Sequence, residues 1–344
     1  MKECSALADC RQDDYDNIIM KIEGSGKPLI LCAHLDTVPV ASETSIVPVI
    51  EKDRVASNGK TVLGADNKDS IAAILEILRI IKERKFRHRA LEIVFTREEE
   101  AISKGAQNLD LSLLSGKECI IADFPAPFGT IVTSAPYCFK FETKITGKRC
   151  HVKEPEEGVN ASLILARAIA RLPLGRVNKL TTSNIAYSFS GLKGIVDQKN
   201  LAELKKEDRN SVPDFAAVFG EVRGADLKAV EKALQDIKKV FSQDASILGG
   251  RARTDIKKLA GGYLFEKDLP LIKHIERIFL TQGIKPNFEG SIGGSDANIL
   301  NNRGITSVCI SAAHKNQHKL SEYLVIDDLV KLTDFYLRLV TEKR

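Results

Sequence analysis

"PLILCAHLDTVP", residues 28–39, decides how this chain is read. Residues 28–33 are an almost wholly apolar run, and then His34 and Asp36 arrive two positions apart. Side chains alternate between the faces of a strand, so both polar groups project from one face at the strand's tip. Thr37, Val38 and Pro39 then end the pairing, because proline brings no N–H to a ladder. A buried strand that finishes on an imidazole beside a carboxylate needs a reason for placing them there.

Working outward, "DSIAAILEILRIIKER" (69–84) is apolar on most sides, which marks a buried helix. "ALEIVFT" (90–96) and "ECIIADF" (118–124) read as further strands. Alternation of strand, helix and strand predicts an α/β sheet with helices on its faces. After Pro136 the pattern changes. "YCFKFETKITG" (137–147), "TTSNIAYSFSG" (181–191) and "DFAAVFGEVRG" (214–224) alternate as half-exposed strands should. "NASLILARAIARLP" (160–173) is an amphipathic helix with Asn160 as its N-cap, and "DLKAVEKALQDIKKVF" (226–241) is a second. With "RARTDIKKLAG" (251–261) as a last strand, the order is β-α-β-β-α-β, the ferredoxin-like arrangement.

From about Tyr263 the first style returns. "LPLIKHIERIFLTQG" (269–283) is a helix closed by glycine, and "ITSVCIS" (305–311) is a buried strand. "IDDLVKLTDFYLRLVTEKR" (326–344) is a closing helix with acids early and bases late. The expected organisation is an α/β domain, residues 1–135 and 262–344, interrupted by a small inserted domain, residues 136–261.

Bulk properties narrow the function classes. A chain of 344 residues is comfortable for two domains, and 43% apolar with 28% charged content suits a soluble globular protein. No apolar run approaches the length that crosses a bilayer. The opening "MKECSALADCRQDDYDN" has no signal-peptide core. Net charge is +5, from 51 basic against 46 acidic residues, and basic clusters such as "KERKFRHR" (82–89) sit at helix ends. Neither a nucleic-acid surface nor a membrane partner is expected. Seven cysteines, without a CxxC pair or framework spacing, point to a reducing cytoplasmic setting.

His34 and Asp36 have company. Asp66 opens the buried helix, "FTREEE" (95–100) puts Glu99 and Glu100 past a strand, Asp123 lies past another, and His314 and His318 follow the last. Taken singly, each has a structural alternative: a cap, a solvated loop, a satisfied core histidine. Together they place polar groups at the strand ends where open α/β sheets bind ligands. Carboxylates gathered at one place repel, and a divalent cation resolves that. Imidazole and carboxylate without thiolate suit zinc, with cobalt or manganese as substitutes.

Taken in order, "LCAHLDTVP", "TVLGADNKDSIAAIL", "FTREEEAISKGA", "GTIVTSAP", "GKRCHVKEPEEGVNA", "NSVPDFAAVFGEVR", "GGSDANIL" and "HKLSEYL" carry a resemblance. From about Lys27 onward the chain resembles the dinuclear zinc exopeptidases that include peptidase T, carboxypeptidase G and the succinyl-diaminopimelate desuccinylases, most nearly the peptidase T-like branch. The resemblance implies a zinc-exopeptidase catalytic domain with an inserted ferredoxin-like lid and dimerisation domain, and a homodimer formed through that insertion. It implies two Zn2+ per chain. His34 and Asp123 would hold the first, Glu100 and His318 the second, and Asp66 would bridge them. His318 is preferred to His314 because the family's histidine lies four residues before a glutamate, here Glu322. Glu99 resembles the general base, and Asp36 the carboxylate that orients the histidine ligand. In the insertion, His151 resembles an oxyanion-stabilising histidine, and Asn210 and Arg223 resemble substrate contacts. The Asp66–Asn67 peptide is expected to be cis.

The chain departs from the family in places. Asn67 stands where a second aspartate is usual, Asp69-Ser70 and Ile102 where glycine is usual, and Ala312 and His314 where small residues are usual. Only a short segment precedes the first motif, as expected of a shortened variant or of an incomplete gene product. The expected activity is hydrolysis of short peptides by an aminopeptidase similar to tripeptide aminopeptidase. An amidohydrolase or deacylase of N-acyl amino acids would use the same chemistry. A metal-binding scaffold with impaired catalysis is the reading from another class, and Glu99, which is not needed to hold metal, argues against it.

Overall fold

Burial from Leu29 to His34 makes one strand the spine of the computed structural model, which describes residues 1–39, 45–196, 210–291 and 293–342. The described chain falls into two units, Met1–Ala135 with Tyr263–Arg344, and Pro136–Gly262. The first unit begins with α1 (Lys2–Leu7), β1 (Asp9–Gln12), β2 (Ile18–Ile22), β3 (Ser25–His34), β4 (Pro48–Ile50) and β5 (Arg54–Ser57). It continues with α2 (Ala65–Arg84), β6 (Arg89–Thr96), α3 (Lys104–Asn108), β7 (Glu118–Phe124) and β8 (Thr130–Ala135). The second unit holds β9 (Tyr137–Thr146), α4 (Ala161–Arg171), β10 (Gly175–Asn178), β11 (Thr181–Gly191), β12 (Phe215–Gly224), α5 (Leu227–Ile247) and β13 (Arg251–Ala260). The first then resumes with β14 (Tyr263–Leu264), α6 (Pro270–Thr281), β15 (Asn287–Gly290) and α7 (Asp296–Asn302). It closes with β16 (Thr306–Ser311), β17 (His314–Lys315), β18 (Tyr323–Val325) and α8 (Ile326–Thr341).

Among the described residues, the main sheet runs β1-β2-β6-β3-β7-β16-β8-β14, with β15 added to β8. Its centre, β6-β3-β7-β16, is parallel throughout, so these four strands present their carboxyl ends at one edge. Period two divides β3 between two cores. Leu29, Leu31 and Ala33 pack with α2, α6 and α8 through Ile74, Ile275 and Phe335, and Ile30 and Cys32 pack toward Ala106, Ala297 and Leu300. Helices on both faces explain why β3 reads as a continuous apolar run rather than an alternating one. A smaller antiparallel sheet orders β17-β18-β5-β4.

Among the described residues, β1 lies at one end of the main sheet, with β2 antiparallel on β6. Asp13 and Asn17, between β1 and β2, reach behind the loop that follows β6. The backbone N–H of Arg97 donates to Asn17 Oδ1 at 3.1 Å, Asn17 Nδ2 donates to the Gly105 carbonyl at 3.1 Å, and the Asp110 N–H donates to Asp13 Oδ2 at 3.1 Å. Gly105 has no room for a side chain: a Cβ there would stand 2.1 Å from the Arg97 carbonyl oxygen.

In the second unit the five strands order β10-β11-β12-β9-β13, antiparallel throughout, and Phe141, Val218 and Val222 of the sheet pack with Ile164 of α4 and Phe241 of α5. Asn160 caps α4 as its position predicts, accepting from the Leu163 N–H at 3.2 Å. Asp244 of α5 is fully buried and accepts from Arg167 Nε at 2.9 Å and Arg171 Nη1 at 2.6 Å, so one carboxylate ties the two helices together. β10 is a strand beyond the expected β-α-β-β-α-β series. Of the closing helix expected over 326–344, Lys343 and Arg344 lie outside the described residues.

Candidate metal centre

His34 is the last residue of β3, and its ring is buried between carboxylates. Nε2 lies 2.8 Å from Asp66 Oδ1 and 3.6 Å from Asp123 Oδ1. Nδ1 faces Asp36, 3.2 Å from its carbonyl oxygen and 3.4 Å from its Oδ1. Asp36 does more than orient the ring. Its two carboxylate oxygens accept the backbone N–H groups of Glu99 at 3.0 Å and Glu100 at 3.1 Å. The polar pair at the strand tip is thus one group aimed into the site and one that fixes both that group and the neighbouring loop.

Asp66 sits at the start of α2, where a carboxylate would ordinarily cap the helix. It does not cap: Gly64 and Asp66 turn their backbone N–H groups to Glu322, at 2.9 and 3.1 Å. Asp66 and Asn67 keep non-helical dihedrals, and the peptide between them is cis. The Asp66 side chain is therefore free to face the histidines, with Oδ2 3.5 Å from His318 Nε2 and 4.0 Å from His314 Nε2. His318 Nε2 also lies 2.8 Å from Glu100 Oε1. Asp123, expected just past its strand, lies inside β7, and Asn67 Nδ2 donates to its Oδ1 at 2.9 Å. That contact gives the asparagine a use that an aspartate could not have.

Two groups of ligand atoms emerge, His34 with Asp66 and Glu100, and Asp66 with Asp123 and His314, each lying within 4.8 Å. Asp66 is common to both. Glu99 belongs to neither group, and its Oε1 accepts from the Ser103 hydroxyl at 3.2 Å. Ile102, in the same loop, has φ 67°, a left-handed backbone that a β-branched residue rarely adopts and that glycine adopts freely. The structure thus brings His34, Asp36, Asp66, Glu99, Glu100, Asp123 and His318 to one sheet edge.

Three contributors carried no assigned role in the sequence. Glu322 served only to locate His318. Asp296, the aspartate of "GGSDANIL", is buried and accepts from the Thr96 hydroxyl close behind Glu99. Asp69 is buried against His314. Nothing in strand or helix periodicity marks a buried acid whose partner is 200 or more residues away.

Left to themselves, these groups carry awkward charges. Burial, with Asp66 close by, pushes the Asp123 carboxyl up to about 7. Burial, with Asp123 and Asp296 nearby, pushes Glu99 up to about 9. Asp66 is held far below the ordinary carboxylate range: burial opposes ionisation, but hydrogen bonds from His318 and His34 prevail. His34 is driven well above the usual imidazole value, because Asp123, Asp36 and Asp66 outweigh its burial. His318 rises to about 9 on the strength of Asp66 and Glu100. Protons are thus held where a cation would satisfy the same lone pairs, and metal binding would release them. Imidazoles and carboxylates, with no thiolate among them, fit a divalent ion of borderline hardness.

The three remaining candidates lie in the second unit. His151 pairs with Ser211 in an isolated bridge, and its Nδ1 accepts from the Lys153 N–H at 3.1 Å. The Asn210 carbonyl accepts from the Val152 N–H at 3.0 Å, so His151 and Asn210 are neighbours. Arg223, near the end of β12, turns its guanidinium to Glu221 of the same strand, with Nε 2.9 Å from Oε1 and Nη2 3.1 Å from Oε2.

A parallel sheet that gathers two overlapping imidazole–carboxylate clusters at its carboxyl ends defines a metal-binding hydrolase. More particularly, the chain belongs to the peptidase family M20/M25/M40, whose sequence pattern matches residues 30–342. It is 29% identical to the protein YqjE of Bacillus subtilis over 95% of this chain and 84% of that one. Peptidase T of Fusobacterium nucleatum is 22% identical over 92% of this chain and 74% of its own length. Among solved structures, the aminopeptidase PepT of Bacillus cereus superposes with a TM-score of 0.87 at 28% identity, covering 99% of this chain and 90% of that chain. A tripeptidase of Staphylococcus aureus gives 0.84 at 29% identity, with coverage of 99% and 90%.

Proposed function

We propose that this chain is a metallopeptidase that hydrolyses short peptides from their amino ends, using two zinc ions bridged by Asp66. The observation that carries this reading is Asp66 itself, a buried carboxylate within reach of two separate ligand groups. His34 and Asp123, 3.6 Å apart, would hold one ion, and Glu100 and His318, 2.8 Å apart, the other; this regroups the two clusters above, where Glu100 falls with His34 and Asp123 with His314. A pair of divalent cations supplies Lewis acidity to the scissile carbonyl and acidifies the attacking water. Glu99 holds and moves the proton: its carboxylate accepts one from the water and returns it to the leaving amine. Burial holds Glu99 up to about 9, and bound cations beside it would lower its affinity for a proton. Asp36 keeps the imidazole of His34 and the backbone of residues 99 and 100 in register.

The inserted unit completes the proposal as a ferredoxin-like lid and dimerisation domain, with His151 steadying the oxyanion and Asn210 and Arg223 gripping the substrate. Seven unpaired cysteines, most of them buried, favour a cytoplasmic setting. No helix among the described residues is long and apolar enough to cross a membrane. A panel of tripeptides with free and blocked amino ends, run beside N-acyl amino acids on metal-analysed protein, tests the reading. Free tripeptides are the expected substrates, with about two zinc ions per chain. Turnover of acyl amino acids alone would make the enzyme a deacylase instead.

Arg223 must exchange Glu221 for a substrate carboxylate if it is to grip one. Arg223→Ala is then expected to weaken capture of carboxylate-bearing peptides by about 1.5–3 kcal/mol, the scale of a charge-assisted hydrogen bond, and to spare amidated ones. His151→Ala should lower turnover of both, because an oxyanion forms whatever the C-terminus carries. Steady-state kinetics on matched free and amidated tripeptides separates the two. An equal loss on both from Arg223→Ala would reduce that residue to the ion pair with Glu221.

A further inference from the structure

Behind the bridging carboxylate lies a histidine that the five-ligand scheme leaves without work. His314, at the start of β17, is fully buried. Its Nδ1 lies 3.0 Å from Asp69 Oδ2. The same Asp69 oxygen accepts the backbone N–H groups of Ala313 and His314, each at 2.9 Å, and Oδ1 accepts the Ser70 N–H at 2.7 Å. A carboxylate so supplied with donors is an acceptor only, so the hydrogen it shares with the imidazole belongs to Nδ1. The lone pair of the neutral ring is then on Nε2. That atom is buried and has no hydrogen-bond partner. It faces Asp66 Oδ2 at 4.0 Å, and it groups with Asp66 and Asp123 as a potential ligand set.

A buried ring nitrogen with no hydrogen-bond partner is costly, and here it faces a carboxylate oxygen with which it could share a cation. Zinc bonds to imidazole nitrogen and carboxylate oxygen are each about 2.0–2.2 Å. The two bonds together reach across the 4.0 Å gap, and a small inward movement of the two side chains on binding brings the angle at the ion toward tetrahedral. The carboxylate–imidazole arrangement of Asp69 and His314 is also the one that fixes the tautomer and aim of a metal-ligating histidine. Asp69 and His314 are both departures from the resembling family, and the structure makes them partners.

We infer that His314 is an additional protein ligand, through Nε2, to the cation held by Asp66 and Asp123, with Asp69 as its positioning residue. This rests on the metal reading given above. With His34, that ion would have four protein donors, which closes the coordination of a site that otherwise keeps a position open. The two ions are then unequal. One is retained by His34, Asp66, Asp123 and His314. The other, held by Asp66, Glu100 and the half-exposed His318, exchanges and keeps room for substrate.

A crystal structure of the zinc-loaded parent protein is the direct test, with zinc affinity of variants as the second measurement. His314 Nε2 is expected within bonding distance of one ion, about 2.0–2.1 Å. His314→Asn keeps a donor for Asp69 and loses the Nε2 position, and it should weaken binding of the tighter zinc by about 10- to 100-fold. Asp69→Asn should weaken it in the same direction, with visible absorption of the cobalt-loaded form shifted in both variants. Two bound ions with His314 Nε2 outside bonding distance of either would overturn the inference and leave the dinuclear reading standing, as would unchanged affinity and spectrum in a folded His314→Asn. Should that variant not fold, the parent crystal structure still decides. A parent that takes up no zinc would overturn both readings.

Discussion

Asp66→Ala should empty both metal positions and lower turnover by about 10³-fold or more. The reasoning is geometric. Asp66 offers one oxygen to the His34 side and the other to the His318 side, and it is the residue common to both ligand groups. Its loss removes a donor from each position and leaves Asp123 and Glu100 to face the histidines alone. Lewis-acid stabilisation supplies several kcal/mol to the transition state, and ~4 kcal/mol is about 10³-fold in rate. Zinc content by elemental analysis, beside kcat on a tripeptide, checks both halves. Retention of two ions in the variant would show that the clusters are independent and that Asp66 bridges nothing. Near-UV circular dichroism guards against the trivial result, since α2 begins at this residue.

Glu99→Gln is expected to keep its zinc and lose at least about 10²-fold in kcat, the usual scale for a missing general base. Glu99 is adjacent in sequence to Glu100, the proposed ligand, yet the two carboxyls have different surroundings. Glu100 Oε1 contacts His318 at 2.8 Å, whereas Glu99 accepts from Ser103, feels the charges of Asp123 and Asp296, and stands outside both ligand groups. Glutamine preserves shape and the Ser103 contact but cannot carry the proton. Parallel metal analysis of Glu99→Gln and Glu100→Gln gives the check. If Glu100→Gln spares zinc and Glu99→Gln loses it, the roles are exchanged.

Residues at the tips of parallel strands were the legible part of this site. A parallel strand covered on both faces advertises itself as an apolar run, so the first polar residues after it stand out, as His34 and Asp123 do. Helices with long apolar faces, α2, α6 and α8, are legible for the same reason. What escaped was made by tertiary contact. β8, β14, β15 and the strands of the small sheet are short or pair across long sequence gaps, and local periodicity says little about them. Glu322 looked like a spacing marker, but it receives the backbone donors that a cap at Asp66 would have taken. Asp69 and His314 looked like two unrelated oddities, 245 positions apart, until the fold put 3.0 Å between them.

The antiparallel β1–β2 hairpin has a consequence for how this protein comes apart. Asn17 ties both ends of the loop that carries Glu99 and Glu100, accepting from the Arg97 N–H and donating to the Gly105 carbonyl, and Asp13 accepts from Asp110 beyond it. Amide protons of residues 97–105 therefore belong to the same cooperative unit as the sheet's outer edge. Peeling of that edge and release of the catalytic loop are one opening event. Substitutions at Asp13 or Asn17 are then expected to loosen the loop of Glu99 and Glu100 to proteases and to heat, although neither residue belongs to the ligand groups.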